Sequence, residues 1–269
     1  SNLSNATSGV FGSQLVRTNE GYHALRALGA SNIRVWVFWR YAEGTEGRYE
    51  LAAVDTQIQR AVEAGLRVTL TIASRAPTWA QWSRDPSGMW PDPAKFGKLQ
   101  AFCEILTRRW AQYIDSIEID NEPDAMYWDL HLPLDVAASA YEGIVGSCAT
   151  GARAAAGAAE ITLIGLSLNG QGYWASNGGN LTFGNQVLSN QSVANTLAAL
   201  SVHPYARAHW IPTTMMEWGP AGWAMPNATD DGPGLEARLN LTVDMMQNAG
   251  MHPRLWPTEF GYQLVPIAS

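Results

Sequence analysis

The chain has 269 residues, of which 46% are hydrophobic and 15% are charged, so it is long enough to bury a large core. Its formal net charge is −7 and it contains no basic run, which argues against nucleic acid or an anionic membrane surface as a partner. No apolar stretch reaches the ~18 residues that a membrane span needs.

Short apolar runs alternate with longer helical patterns along the chain. Residues 1–7 are polar, show no signal-peptide pattern and are left out of the fold prediction. The strands are predicted at 9–16, 32–39, 66–74, 116–120, 161–168, 200–205 and 254–262. The helices are predicted between them, at 21–28, 51–64, 94–114, 134–157, 185–199 and 235–249.

This alternation predicts parallel strands joined by right-handed crossovers. Seven strands favour a closed barrel over an open doubly wound sheet, because no glycine-rich phosphate turn follows the first strand. The predicted fold is therefore α/β, a (β/α)8 TIM barrel that forms one domain over residues 1–269. An eighth strand is not evident, so either the chain is truncated at its C-terminus, or the barrel is incomplete, or the strand count is one short.

The residues that follow the predicted strands are mainly polar or aromatic, and barrels place their active sites at these carboxyl ends. Period-two alternation along the fourth strand predicts that Glu118, Asp120 and Glu122 point into the barrel. The full set of residues at these strand ends is Arg34, Trp36, Trp39, Ser74, Arg75, Asn121, Glu122, Ser167, Asn169, His203, Tyr205 and Glu259.

Glu122 and Glu259 follow the fourth and seventh predicted strands, which face each other across the mouth of an eight-stranded barrel. Two carboxylates across a cleft lined by aromatic rings are what glycosidic bond cleavage requires, since one must donate a proton and the other must stay ionised. A single strand-end glutamate is more often an ion-paired residue, and Arg34 could pair with Glu118 for purely structural reasons. The combination of residues therefore carries the prediction.

The motifs NEP (121–123) and TEFG (258–261) resemble the retaining glycoside hydrolases of clan A, which have (β/α)8 barrels. The similarity extends through residues 28–50 (LGASNIRVWVFWRYAEGTEGRYE) and SVHPY (201–205), and it is nearest to family 39, the β-xylosidase and iduronidase branch, with the cellulase and mannanase branch next. Asp120 departs from the pattern, because many relatives carry an aromatic residue there.

This resemblance implies roles for individual residues. It implies that Glu122 is the acid/base and Glu259 the nucleophile, with carboxyl groups ~5–5.5 Å apart. Asn121 would bind the sugar 2-hydroxyl. Arg34 and Tyr205 would orient the nucleophile, and His203 would be a further site residue.

Aromatic residues in predicted loops and strand ends are further candidates for substrate contacts, although packing under the loops is an equally good interpretation of each ring. The candidates are Trp39, Trp128, Trp174 and Trp210, the last of them in a long loop over residues 206–234. No cofactor or metal is expected, because the five histidines lack zinc-site spacing.

The sequence-based hypothesis is thus a secreted or extracellular retaining hydrolase of an oligo- or polysaccharide. The alternative is a barrel that binds carbohydrate without cleaving it, or an inactive fragment. Cys103 and Cys148 lie in helical patterns, and two buried free thiols are favoured over one bridge between neighbouring helices.

Overall fold

The computed structural model describes residues 18–85, 87–124, 132–156, 160–169, 179–203 and 235–258. Six parallel strands form one sheet whose order follows the chain. They are β1 (Asn32–Phe38), β2 (Arg67–Ala73), β3 (Ile114–Ile119), β4 (Thr162–Asn169), β5 (Ala199–His203) and β6 (Leu255–Pro257). The predicted α/β fold with a parallel sheet is confirmed, and these strands are the second to seventh of the predicted series. The predicted strand at 9–16 lies outside the described residues.

Helices alternate with the strands as the sequence pattern predicted. They are α1 (Asn19–Ala27), α2 (Trp39–Ala42), α3 (Ala52–Glu63), α4 (Phe96–Trp110), α5 (Leu134–Ala156), α6 (Gly179–Leu188), α7 (Gln191–Thr196) and α8 (Leu235–Asn248). Within the described ranges, no helix combines the length and the apolarity that crossing a bilayer requires.

The helix predicted at 185–199 is in fact two helices, α6 and α7. Asn190 separates them, because its side chain caps α7 by accepting a hydrogen bond from the Ser192 amide at 3.0 Å. The last predicted helical residue, Ala199, begins β5 instead.

The two faces of the sheet differ in chemistry. Val35, Leu70 and Ile117 are buried in one apolar cluster that includes the surrounding helices. The other face is also buried, but it carries side chains such as Arg34 and Thr71 that bond to one another. A polar interior on one side of a parallel sheet positions charged groups where the strands end.

β4 contains a bulge at Leu166 and Ser167, whose φ angles are 70° and 34°. Its pairing with β5 is interrupted between Gly165 and Leu168. The Leu166 amide donates to the Tyr141 hydroxyl at 2.7 Å, and the Ser167 amide donates to Ser201 Oγ at 3.0 Å. Left-handed backbone at non-glycine residues is uncommon and tends to cluster at functional sites.

Cys103 of α4 and Cys148 of α5 form a disulfide, with their Cα atoms 5.1 Å apart. The prediction of two free thiols is therefore wrong. The reason is the close approach of the two helices at glycines of α5: a Cβ at Gly143 would lie 2.0 Å from the Phe96 ring, and one at Gly151 would lie 2.2 Å from the Gln100 carbonyl oxygen.

Replacing both cysteines by alanine is expected to lower the free energy of unfolding by about 2–4 kcal/mol, because the bridge spans 45 residues and restricts the unfolded chain. Urea unfolding at pH 7 measures this loss. Wild-type protein treated with a reductant serves as the control and should unfold like the double variant. Equal stability of the variant and the oxidised wild type would contradict the prediction.

Candidate active site

The candidate site lies at the carboxyl ends of the strands, and the buried carboxylate of Glu118 in β3 is its centre. Its Oε2 accepts hydrogen bonds from Arg34 Nε and from Thr71 Oγ1, both at 2.6 Å. Its Oε1 accepts from Ser167 Oγ at 2.9 Å and from Thr258 Oγ1 at 2.7 Å. The structure thus contains the Arg34–Glu118 pair that the sequence suggested, and both partners are almost inaccessible to solvent.

The environment of Glu118 favours its ionised form. Burial raises the pKa of this carboxyl. The Arg34 guanidinium and His203 lower it, and so do the hydroxyls of Thr71 and Thr258. The lowering effects prevail, so the pKa of Glu118 lies below its usual value and the carboxylate is a fixed negative charge in the interior.

Arg34 also links this charge to the NEP segment. Its Nη2 donates to Asn121 Oδ1 at 2.8 Å. Its guanidinium carbon lies 4.4 Å from the centre of the Trp36 ring, a distance typical of a cation–π contact. The position of Asn121 is therefore set by a side chain that is itself held by Glu118.

Glu122 lies at the edge of this network. Its Oε1 is 2.7 Å from His203 Nδ1, and its side chain keeps 22% of its surface exposed while that of His203 is fully buried. His203 Nε2 is 3.1 Å from Thr258 Oγ1. Glu122 therefore combines access to solvent with a contact to a buried ionisable ring.

The segment after β3 does not continue the strand geometry. Asp120 and Glu122 have φ angles of 67° and 48°, so alternation predicts the inward direction of Glu118 but does not set the directions of the two acids beyond Ile119. Asp120 is buried, accepts a hydrogen bond from the Ser74 hydroxyl and accepts another from the Asn121 amide at 2.8 Å. Burial raises the pKa of Asp120 above its usual value, and these hydrogen bonds only partly oppose that effect.

Four of the predicted site residues lie in one bonded group at the strand ends: Arg34, Asn121, Glu122 and His203. Trp39 does not belong to it, and its predicted substrate contact is wrong. The Trp39 side chain is fully buried, donates from Nε1 to Glu43 at 2.7 Å and packs against the Phe102 ring. It anchors the start of α2 in the core.

The remaining predicted site residues lie outside the described residues and stay predictions. They are Glu259, Tyr205, Trp128, Trp174 and Trp210. The same holds for the separation of the two catalytic carboxyl groups and for the loop over residues 206–234. Among the described residues, no group of three or more His, Cys, Asp or Glu side chains is placed to hold a metal ion.

Sequence analysis missed two of the hydroxyl side chains that bind Glu118, those of Thr71 and Thr258, and it named Ser167 only as a strand-end residue. One signal was present, because Thr69 and Thr71 alternate with apolar residues along a strand that reads as fully buried. Buried hydroxyls at alternate strand positions need partners, and a buried charge in the neighbouring strand is one.

No protein-family profile matches this chain, and no curated protein matches it in sequence. Solved structures do match its fold. A family 39 glycoside hydrolase from Bacteroides cellulosilyticus WH2 is 18% identical with a TM-score of 0.61, and the match covers 93% of this chain and 48% of that one.

Two further matches are an endogalactoceramidase and a fungal β-1,4-galactanase. The first is 16% identical with a TM-score of 0.61, over 97% of this chain and 61% of that one. The second is 18% identical with a TM-score of 0.56, over 86% of this chain and 63% of that one. The chain thus spans between about half and two thirds of the length of these three proteins.

At identities this low, the structural matches establish only a shared fold. The substrates named for the matched proteins also differ from one another. The resemblance implied by NEP and TEFG is therefore confirmed at the level of the fold. The chain shares the parallel α/β fold of solved glycoside hydrolases, and a family 39 enzyme is among them.

Proposed function

We propose that the protein is a retaining O-glycoside hydrolase in which Glu122 is the acid/base and Glu259 the nucleophile. One observation carries the proposal. Glu122 reaches Thr258, the residue that precedes Glu259 in the chain, through a single side chain, His203, at 2.7 and 3.1 Å. The carboxylate at the end of β3 is thus close to the end of β6, as a pair of catalytic acids requires.

In the first step, Glu122 donates its proton to the glycosidic oxygen while Glu259 attacks the anomeric carbon. The bond to the leaving sugar breaks and an ester forms between Glu259 and the retained sugar. In the second step, Glu122 takes a proton from water, whose oxygen attacks the anomeric carbon and releases Glu259. Two displacements at the same carbon return the original anomeric configuration.

The described residues support this mechanism by the way they orient a group that could bind the sugar. Arg34 occupies Asn121 Oδ1, so the NH2 group of Asn121 is left to donate to a sugar hydroxyl. Tyr205, Trp128, Trp174 and Trp210 are the candidates for further substrate contacts. The substrate class is an oligo- or polysaccharide, and a secreted or extracellular location agrees with the Cys103–Cys148 disulfide.

The test is NMR of the first product formed from a panel of aryl glycosides and polysaccharides. Retained anomeric configuration is expected, and Glu259→Ala is expected to abolish turnover on every substrate that the wild type cleaves. Inverted configuration, or full activity of Glu259→Ala, would refute the assignment. Stabilisation by sugars without any turnover would instead favour a binding protein.

A further inference from the structure

We propose that Thr258 is a positioning residue for Glu122: it holds His203 as the Nε2–H tautomer, so that the lone pair on Nδ1 stays directed at the Glu122 carboxyl. This inference rests on the proposed role of Glu122 as the acid/base. It adds a residue to which the NEP and TEFG motifs assign no role.

The argument begins with the single proton of the Thr258 hydroxyl. Its oxygen lies 2.7 Å from Glu118 Oε1 and 3.1 Å from His203 Nε2. Glu118 is ionised against Arg34 and can only accept. Thr258 therefore donates its proton to Glu118, and its oxygen must accept from His203. This places a proton on Nε2.

The opposite ring nitrogen then has a defined role. When His203 is neutral, Nδ1 carries no proton and lies 2.7 Å from Glu122 Oε1. A contact this short needs a hydrogen between the two atoms. Either Glu122 donates its proton to Nδ1, or His203 is an imidazolium that donates to the carboxylate.

This arrangement makes loss of the proton between Glu122 and His203 unfavourable. Losing the proton would leave the carboxylate oxygen facing the lone pair on Nδ1. A His203 free to change tautomer could avoid that cost by moving its proton from Nε2 to Nδ1 and donating it to the carboxylate. Thr258 prevents this change, and so it disfavours the ionised form of Glu122 that cannot act as an acid.

The charged groups around His203 are consistent with this account. Glu122 faces Nδ1 from the segment after β3, and Glu118 faces the Nε2 side through Thr258. The positive charge of Arg34 is bound to Glu118 and Asn121. Because Arg34 neutralises the negative charge of Glu118, the hydrogen bond through Thr258 determines which nitrogen of the neutral ring is protonated.

The experiment compares Thr258→Val, which removes the hydroxyl, with Thr258→Ser, which keeps it. The alkaline limb of the pH profile of kcat/KM is expected to move to lower pH by about one unit in Thr258→Val. Thr258→Ser is expected to restore the wild-type profile. A purely structural role would lower activity at all pH values and leave the limb in place.

Nitrogen NMR of the full chain supplies a readout that does not depend on activity, with the His203 signals assigned by their loss in His203→Gln. Above the alkaline limb, wild type and Thr258→Ser are expected to show the Nε2–H tautomer, and Thr258→Val the Nδ1–H tautomer. If near-ultraviolet circular dichroism shows that Thr258→Val has not folded, Thr258→Ala replaces it in both measurements.

The two measurements separate failure of this inference from failure of the proposed function. An active enzyme whose alkaline limb and tautomer are unchanged without the hydroxyl would overturn the inference and leave the proposed function in place. Absence of hydrolysis by the wild type would overturn the proposed function and, with it, the positioning role of Thr258 in catalysis. The NMR measurement would still determine the tautomer of His203.

Discussion

Glu122→Ala is expected to slow hydrolysis of substrates with poor leaving groups by a factor of about 10²–10⁴, the contribution typical of general acid catalysis. Aryl glycosides with good leaving groups should form the glycosyl-enzyme at nearly the wild-type rate, because they do not need the proton. Their second step should be slow, because no base then activates the water. A small anion such as azide should enter the space of the missing carboxylate and restore turnover. Steady-state and burst kinetics with both kinds of substrate measure these effects.

Two variants control for indirect effects. Glu122→Gln keeps the shape and a polar contact to His203 but cannot exchange a proton in this pH range, so it should show the same dependence on the leaving group. Glu63→Gln changes an exposed carboxylate in α3 and should behave as the wild type. An equal loss of rate for good and poor leaving groups in Glu122→Ala would show that Glu122 is not the acid.

Arg34→Met is expected to have the largest effect on stability, about 3–5 kcal/mol in the free energy of unfolding at pH 7. The substitution leaves Glu118 charged and buried without its cation, since the side chains of both residues are at most 1% exposed. Arg67→Met is the matched control, because the Arg67–Asp115 pair has side chains that are 48% and 39% exposed. Its loss should cost less than about 1 kcal/mol. Urea unfolding of both variants measures the difference.

The pH dependence of the Arg34→Met deficit tests its cause. In the wild type, the pKa of Glu118 is lower in the folded state than its usual value. Its contribution to stability is therefore present above the unfolded pKa of about 4.3 and is lost as the pH falls through the folded pKa. The variant lacks this contribution, so its deficit should be largest near pH 7 and shrink in acid. A deficit that does not shrink as the pH falls well below 4.3 would mean that packing, rather than charge, explains the loss.

The sequence predicted the fold well because its strands carry strong local signals. β1 and β2 are rich in β-branched residues, to which β1 adds two aromatic ones, and Gly65 follows the helix α3 between them. Because parallel strands share one carboxyl edge, the places of Asn121, Glu122 and His203 followed from the strand ends. The predictions for Glu259 and Tyr205 rest on the same logic. Arg34 is the third residue of β1 and reaches Asn121 from within that strand.

The errors have a common origin in contacts between distant segments. Trp39 follows β1 directly, but whether its ring turns outward or into the core depends on Phe102, which is 63 residues away. The Cys103–Cys148 bridge depends on how closely two helices pack, and a cysteine count contains no such distance. The hydroxyl of Thr258 gains its role only through Glu118, which is 140 positions away in the chain.

The bulge in β4 has a consequence for how substitutions act in this part of the sheet. Two amides there, those of Leu166 and Ser167, bond to the side chains of Tyr141 and Ser201. These side chains therefore replace main-chain partners. Tyr141→Phe and Ser201→Ala change the side-chain volume little, but each would leave a buried amide without an acceptor. The effect is comparable to that of a proline in a neighbouring strand, which leaves a carbonyl without a donor. Tyr141 and Ser201 should therefore tolerate few substitutions, because their side chains take the place of backbone acceptors.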